Sequence, residues 1–191
     1  MTIRNLHSEK SLIKSCKSGD PKAQKELYDR YASNMLFVAK RYMGDDYEAQ
    51  EVLLAAFLKV FQQLNQFELR GSFEGWIRRI VVREAIDKLR KRKFVTVAID
   101  QLQISEHEED LSVESVYSKG ELMHALSQLS QGYRSVFNMY VIEEYKHKEI
   151  AEMLGISLST SKTQLLRAKK QLKELLIKNK TNGEAIGGST F

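Results

Sequence analysis

Phe73 and Trp76 stand at the head of the stretch GSFEGWIRRIVVREAIDKLRKRK (71–93), which then gathers Arg78, Arg79, Arg83, Lys88, Arg90, Lys91, Arg92 and Lys93. Aromatic rings stack on unpaired bases for ~1–3 kcal/mol each, and arginines track phosphates, so this combination suits a single nucleic-acid strand. At 100° per residue, Ile77, Val81, Val82, Ala85, Ile86 and Leu89 fill one broad half of a helical wheel. Trp76, Arg79, Arg83 and Arg90 fall in a stripe roughly sixty degrees wide on the other half. The same residues also fit a plain amphipathic helix, with Phe73 and Trp76 as core staples and the charges solvated.

A second pattern is HKEIAEMLGISLSTSKTQLLRAKKQL (147–172). Ile150 and Leu154 face inward, Ala151 is small where two helices cross, and Gly155 sits where the chain must turn sharply. Ser157 can cap a second helix that presents Thr160, Lys162, Thr163, Gln164 and Arg167 near its N-terminal end. In helix-turn-helix proteins that end enters the major groove, where such side chains bond base edges and phosphates. A helical hairpin with a solvated polar face is the simpler alternative. Against it, Lys162, Arg167, Lys169, Lys170, Lys173, Lys178 and Lys180 are faced only by Glu174.

The elements around these patterns also read as helices. Asp20 and Pro21 open one in which Ala23, Leu27, Tyr31, Met35, Val38 and Tyr42 recur on one face. Gly44-Asp45-Asp46 ends it and caps the next, whose seam is Leu53, Phe57, Val60, Phe61, Leu64 and Phe67. From 96 to 118 the chain carries acidic residues, no lysine or arginine, and fading periodicity, which marks a linker. Extended, it would reach ~75 Å. The expected fold is all-α: two small helical domains, 1–95 and 119–178, joined by an acidic linker at 96–118, with a helix-turn-helix in the second. The glycine-rich tail at 179–191 is expected to be disordered.

Composition narrows the function classes. The net charge of +5 and pI near 9.2 suit a polyanionic partner. Cys16, the single cysteine, excludes an internal disulfide or a cysteine metal cluster and reads as a buried thiol on a short helix. His7, His107, His124 and His147 lack metal-ligand spacing, and no phosphate loop is present, so neither an enzyme nor a cofactor is expected. The N-terminus lacks an apolar signal region, and VLLAAFL is far short of the ~20 residues of a membrane span. A cytoplasmic protein without membrane insertion is expected.

Taken in order, these segments resemble bacterial sigma factors of the extracytoplasmic-function class, over nearly all of residues 10–178. GDPKAQKELYDRYASNMLFVAKRYMGDDYEA and AAFLKVFQQLNQF are similar to the family's core-polymerase-binding segments. GSFEGWIRRIVVREAIDKLRKRK is similar to the segment that recognises and melts the minus-ten element, and LSQGYRSVFNMYVIEEYKHKEIAEMLGISLSTSKTQLLRAKKQL to the minus-thirty-five reader. The resemblance implies that the helix at 46–64, through Glu51, Leu54, Ala55, Leu58, Lys59 and Gln62, packs on the β′ coiled coil of core RNA polymerase. It implies that Phe73, Trp76, Arg79 and Arg83 meet the extruded single strand, and that Lys88, Arg90, Lys91 and Arg92 hold upstream duplex phosphates. Thr160, Lys162, Thr163, Gln164, Leu166 and Arg167 would sit in the minus-thirty-five major groove, with this domain on the β flap. Partners are then core polymerase, double- and single-stranded promoter DNA, and an anti-sigma factor or other recruiting protein. A stand-alone helix-turn-helix regulator is the alternative reading of the same residues.

The chain departs from the family's pattern at several positions. Leu54-Ala55 replace a common Gln-Glu or Gln-Asp pair, and Arg83 stands where asparagine is frequent. An amide offers donor and acceptor to a base edge, whereas arginine offers donors and charge only. Ser127–Gln131 lacks the proline usual after its leucine, and Glu144 and Ser159 occupy common glycine positions. Lineage drift accounts for such changes. The sharper expectation is weakened or altered minus-ten reading, with recruitment by another DNA-locating protein.

Overall fold

The computed structural model describes residues 8–91 and 118–187, excepting the side chains of Lys119 and of 179 onward. Every regular element among the described residues is a helix. The chain forms two compact units, Met1–Leu89 and Arg90–Phe191.

The first unit contains α1 (Glu9–Lys17), α2 (Pro21–Met43), α3 (Asp46–Gln63) and nearly all of α4 (Phe73–Lys91). Local chemistry sets the boundaries. Asp20 accepts from the Lys22 amide at 2.9 Å with Pro21 beside it, and Asp45 accepts from the Glu48 amide at 2.9 Å. Gly44 ends α2 at φ 72°, a left-handed conformation that costs glycine nothing. A single 3₁₀ turn, Leu64–Gln66, leaves α3. Ser72 then caps α4 by accepting from the Gly75 amide.

α4 is buried on two sides. Ile77, Val81, Val82, Ala85, Ile86 and Leu89 form the expected face, and Phe73 and Ile80 are buried as well. α1 contributes Leu12, Ile13 and Cys16 to the same core. Burial, then Asp20 and Glu26 nearby, push the Cys16 thiol up to about 11, which suits an inert structural cysteine.

The second unit contains α5 (Lys119–Gln128), α6 (Gln131–Phe137), a π-helical turn at Asn138–Ile142, α7 (His147–Leu154) and α8 (Leu158–Gly187). Ser118 and Glu121 close a capping box at the start of α5. Gly155 turns α7 into α8 at φ 67°, and Ser157 caps α8 by accepting from the Thr160 amide at 3.0 Å. Buried Leu126, Phe137, Met139, Ile150, Leu154, Leu165, Ala168 and Leu172 make the core.

Two boundaries differ from expectation or escape description. α8 continues to Gly187, so 179–187 is helical where an irregular tail was expected. Once a helix is nucleated, each added residue gains a hydrogen bond, and no proline stops this one. The acidic segment at 96–117 and residues 188–191 lie outside the described residues.

Candidate nucleic-acid and polymerase interface

Because α4 is buried on two sides, its solvent face is narrow. Arg79, Arg83 and Arg90 are exposed along it, and Trp76 is half-buried at its N-terminal end. Arg79 Nε donates to its own helix, at the Gly75 carbonyl, over 3.4 Å. Among the described residues no carboxylate pairs with Arg83. Trp76 rests on aromatic support: its ring stacks on Phe73 with centroids 5.7 Å apart and planes at 17°, and lies 5.5 Å from Phe67. Tyr31 meets Phe73 edge-on at 5.6 Å. Phe73 itself is only 1% exposed.

α3 presents a different surface. Tyr47, Leu54 and Leu58 are exposed by 71%, 57% and 64%, and the spacing puts them on one stripe. Gln50, Glu51 and Gln62 flank it. Glu51 accepts a charge-assisted bond from Lys88, and Glu84 accepts one from Lys59, so the two helices are joined by crossed ion pairs.

On α8, Leu158, Ser159, Lys162, Lys170 and Lys173 are exposed, with Thr163, Leu166 and Lys169 partly so. Ser161 is fully buried and shares a 2.9 Å hydrogen bond with His147 Nδ1, which ties α7 to α8. Tyr140 stacks on His147 at 4.4 Å. Burial, then Lys162 and Lys169, hold that imidazole below its ordinary range. Gln164 lies against Gly132, where an added Cβ would come within 3.2 Å of its amide. Arg167 reaches the Tyr133 hydroxyl at 3.5 Å.

These two basic faces and one apolar stripe coincide with two matched segments. The family model described as Sigma-70 region 2 matches residues 27–95, and that described as Sigma-70, region 4 matches 119–172. The chain belongs to the sigma-70 family of RNA polymerase sigma factors. It is similar to the ECF RNA polymerase sigma factor SigW of Bacillus subtilis, 25% identical over 87% of this chain and 96% of that protein. SigV of the same organism is 29% identical over 74% of this chain and 83% of its own length. A solved structure of the sigma factor RpoE with the anti-sigma factor NepR, from Bartonella quintana, aligns at a TM-score of 0.48 and 19% identity, over 80% of this chain and 95% of that one.

The sigma factor is therefore of the ECF class, a non-catalytic subunit that directs promoter recognition by RNA polymerase. Region 2 and region 4 together set aside the stand-alone regulator. The structure rearranges several expected site residues within these regions. Phe73 presents no face to a base where it lies; it supports Trp76 from below. Thr160, 8% exposed, is taken up by the cap of α8, its hydroxyl 2.8 Å from Ser157 Oγ. Lys88 is engaged by Glu51, which brings an expected DNA contact and an expected polymerase contact together. Gln164 and Arg167 lean on α6, whereas Lys162, Thr163 and Leu166 lie on the outer face. Lys91 is exposed at the end of α4, and Arg92 lies outside the described residues. Tyr47 shares the exposed stripe of Leu54 and Leu58, a spacing readable in the sequence.

Proposed function

We propose that the sigma factor docks on the β′ coiled coil of core polymerase through the α3 face of Glu51, Leu54, Ala55, Leu58, Lys59 and Gln62, extended by Tyr47. The second unit, 119–178, docks on the β flap and reads the minus-thirty-five element with Lys162, Thr163, Leu166 and Arg167, supported by Gln164 and Thr160. Trp76, Arg79 and Arg83 capture the minus-ten single strand, while Arg90, Lys91 and Arg92 hold duplex phosphates. The acidic segment at 96–118 spans the two, and the protein acts in the cytoplasm. The observation that carries this reading is the solvent face of α4: Arg79, Arg83 and Arg90 exposed in a row, with the half-buried Trp76 at its N-terminal end. Bases stack on the indole ring and phosphates meet the guanidinium row.

Arg83 gives the reading its finer content. It has no acceptor with which to discriminate a base edge, so it grips the strand without reading it as an amide would. Weak minus-ten reading follows, with recruitment by an anti-sigma-like or other DNA-locating protein. Sizing chromatography with core polymerase is expected to yield a stable complex that initiates poorly from promoters unless a recruiting protein is added. The Arg83→Asn variant is expected to sharpen base preference by about tenfold, the scale of one good base contact. Robust promoter-specific initiation by the two purified components alone would remove the recruitment, and unchanged base preference in Arg83→Asn would remove the role of Arg83.

A further inference from the structure

α1 lies outside the matched region 2, which begins at residue 27, yet both of its ends are tied to the aromatic cluster beneath Trp76. At its C-terminal end, Lys17 Nζ donates to the Phe67 carbonyl at 2.8 Å, across 50 residues of sequence. Phe67 is buried, and its ring lies 4.9 Å from Phe73 and 5.5 Å from Trp76. At the N-terminal end, Tyr31 donates its hydroxyl proton to Glu9 Oε2 at 2.6 Å, and the Tyr31 ring meets Phe73 edge-on. Leu12, Ile13 and Cys16, each at most 3% exposed, hold α1 in the core between these ties.

The loop that Lys17 grips lies outside any helix. Between the 3₁₀ turn and α4 the chain passes through Leu69 at φ 61° and Gly71 at φ 74°, without a helical hydrogen-bond ladder. A left-handed leucine costs about 1–2 kcal/mol and persists only where surrounding contacts enforce it. The Lys17 ammonium is one such contact, since a charged donor forms a stronger bond to a carbonyl than a neutral one does.

We propose that α1 is a positioning element for promoter opening, with Lys17 as its positioning residue. Lys17 holds the Phe67 carbonyl, Phe67 holds Phe73 and Trp76, and the Trp76 ring is thereby kept in place at the head of the arginine row. This deepens the function proposed above and rests on Trp76 meeting an unpaired base.

Trp76 is the only tryptophan, so its fluorescence reports its own placement in the intact protein. The test uses full-length protein with core polymerase on a promoter carrying 2-aminopurine in the minus-ten nontemplate strand, with any recruiting protein supplied. Lys17→Met keeps the stem and removes the donor. It is expected to slow opening about tenfold, move Trp76 emission to longer wavelength and raise its quenching by acrylamide, with core binding unchanged. Lys17→Arg restores all three. Should Lys17→Met melt below the assay temperature, Tyr31→Phe keeps the ring on Phe73, loses the bond to Glu9, and is expected to act in the same direction. A lowered melting temperature with unmoved Trp76 emission and normal opening would leave α1 a purely structural helix and overturn the proposal. Trp76→Ala separates the two levels. Normal opening by that variant removes the base-stacking reading itself, whereas defective opening beside a normal Lys17→Met removes only the role of α1.

Discussion

Ser130 opens α6 at φ −57° and ψ 152°, after Leu129 at ψ 147°. Both conformations are those proline and its preceding residue adopt without strain. Ser130 makes no side-chain cap hydrogen bond, so its hydroxyl returns nothing for the freedom it loses. Glu144 sits at φ 58°, a left-handed conformation that glycine takes at no steric cost. These are two of the positions at which the chain departs from its family, and both departures read as losses of stability. Ser130→Pro and Glu144→Gly are each expected to stabilise the protein by about 0.5–1 kcal/mol, proline through the unfolded chain and glycine through relief of strain. Chemical denaturation of the two variants checks this, with promoter preference unchanged. Arg83 differs in kind, because it lies exposed on the α4 face and no backbone constraint accounts for it.

At the scale of elements, α7 and α8 are joined by His147 on Ser161, with Tyr140 stacked against the ring. Burial and the nearby Lys162 and Lys169 hold His147 below its ordinary range, so the unfolded chain takes up its proton first. The stability this contributes is present above the unfolded value near pH 6.5 and is lost as pH falls toward the lower folded value. Thermal melting of the protein is expected to weaken between pH 7 and pH 5, less steeply in His147→Gln. Melting curves across that range give the slope for each. Element boundaries were legible because they are local: Asp20 with Pro21, Gly44 with Asp45, and Gly155 with Ser157 each settle a terminus through atoms within a few residues. The end of α8 was not, because polar and glycine-rich composition discourages a helix without stopping one that has already begun.

At the scale of the molecule, each unit carries its own buried core and its own basic face. Two DNA-binding units on one chain act at an effective concentration in the ~mM range for one another. Fragments 1–95 and 119–178 are each expected to fold. Supplied together at micromolar concentration to core polymerase, with any recruiting protein the intact chain requires, they should initiate about 10²–10³-fold less than the intact chain. Circular dichroism of each fragment and runoff transcription with the pair measure both halves of this expectation; full activity of the split pair would show that the tether is dispensable.

The amino-acid sequence alone determined the helical periods, the caps at Asp20, Asp45 and Ser157, the helix-turn-helix and the row of Trp76, Arg79, Arg83 and Arg90, since periodicity and capping act within one element. Only the tertiary structure decided which of those side chains reach solvent. Phe73 passes beneath Trp76 because Tyr31 and Phe67 close over it, Lys88 is claimed by Glu51 of another helix, and Lys17 reaches a carbonyl 50 residues away. A helical period names the faces of one helix. What covers each face is set by the helices packed against it, and that information is distributed over distant parts of the chain.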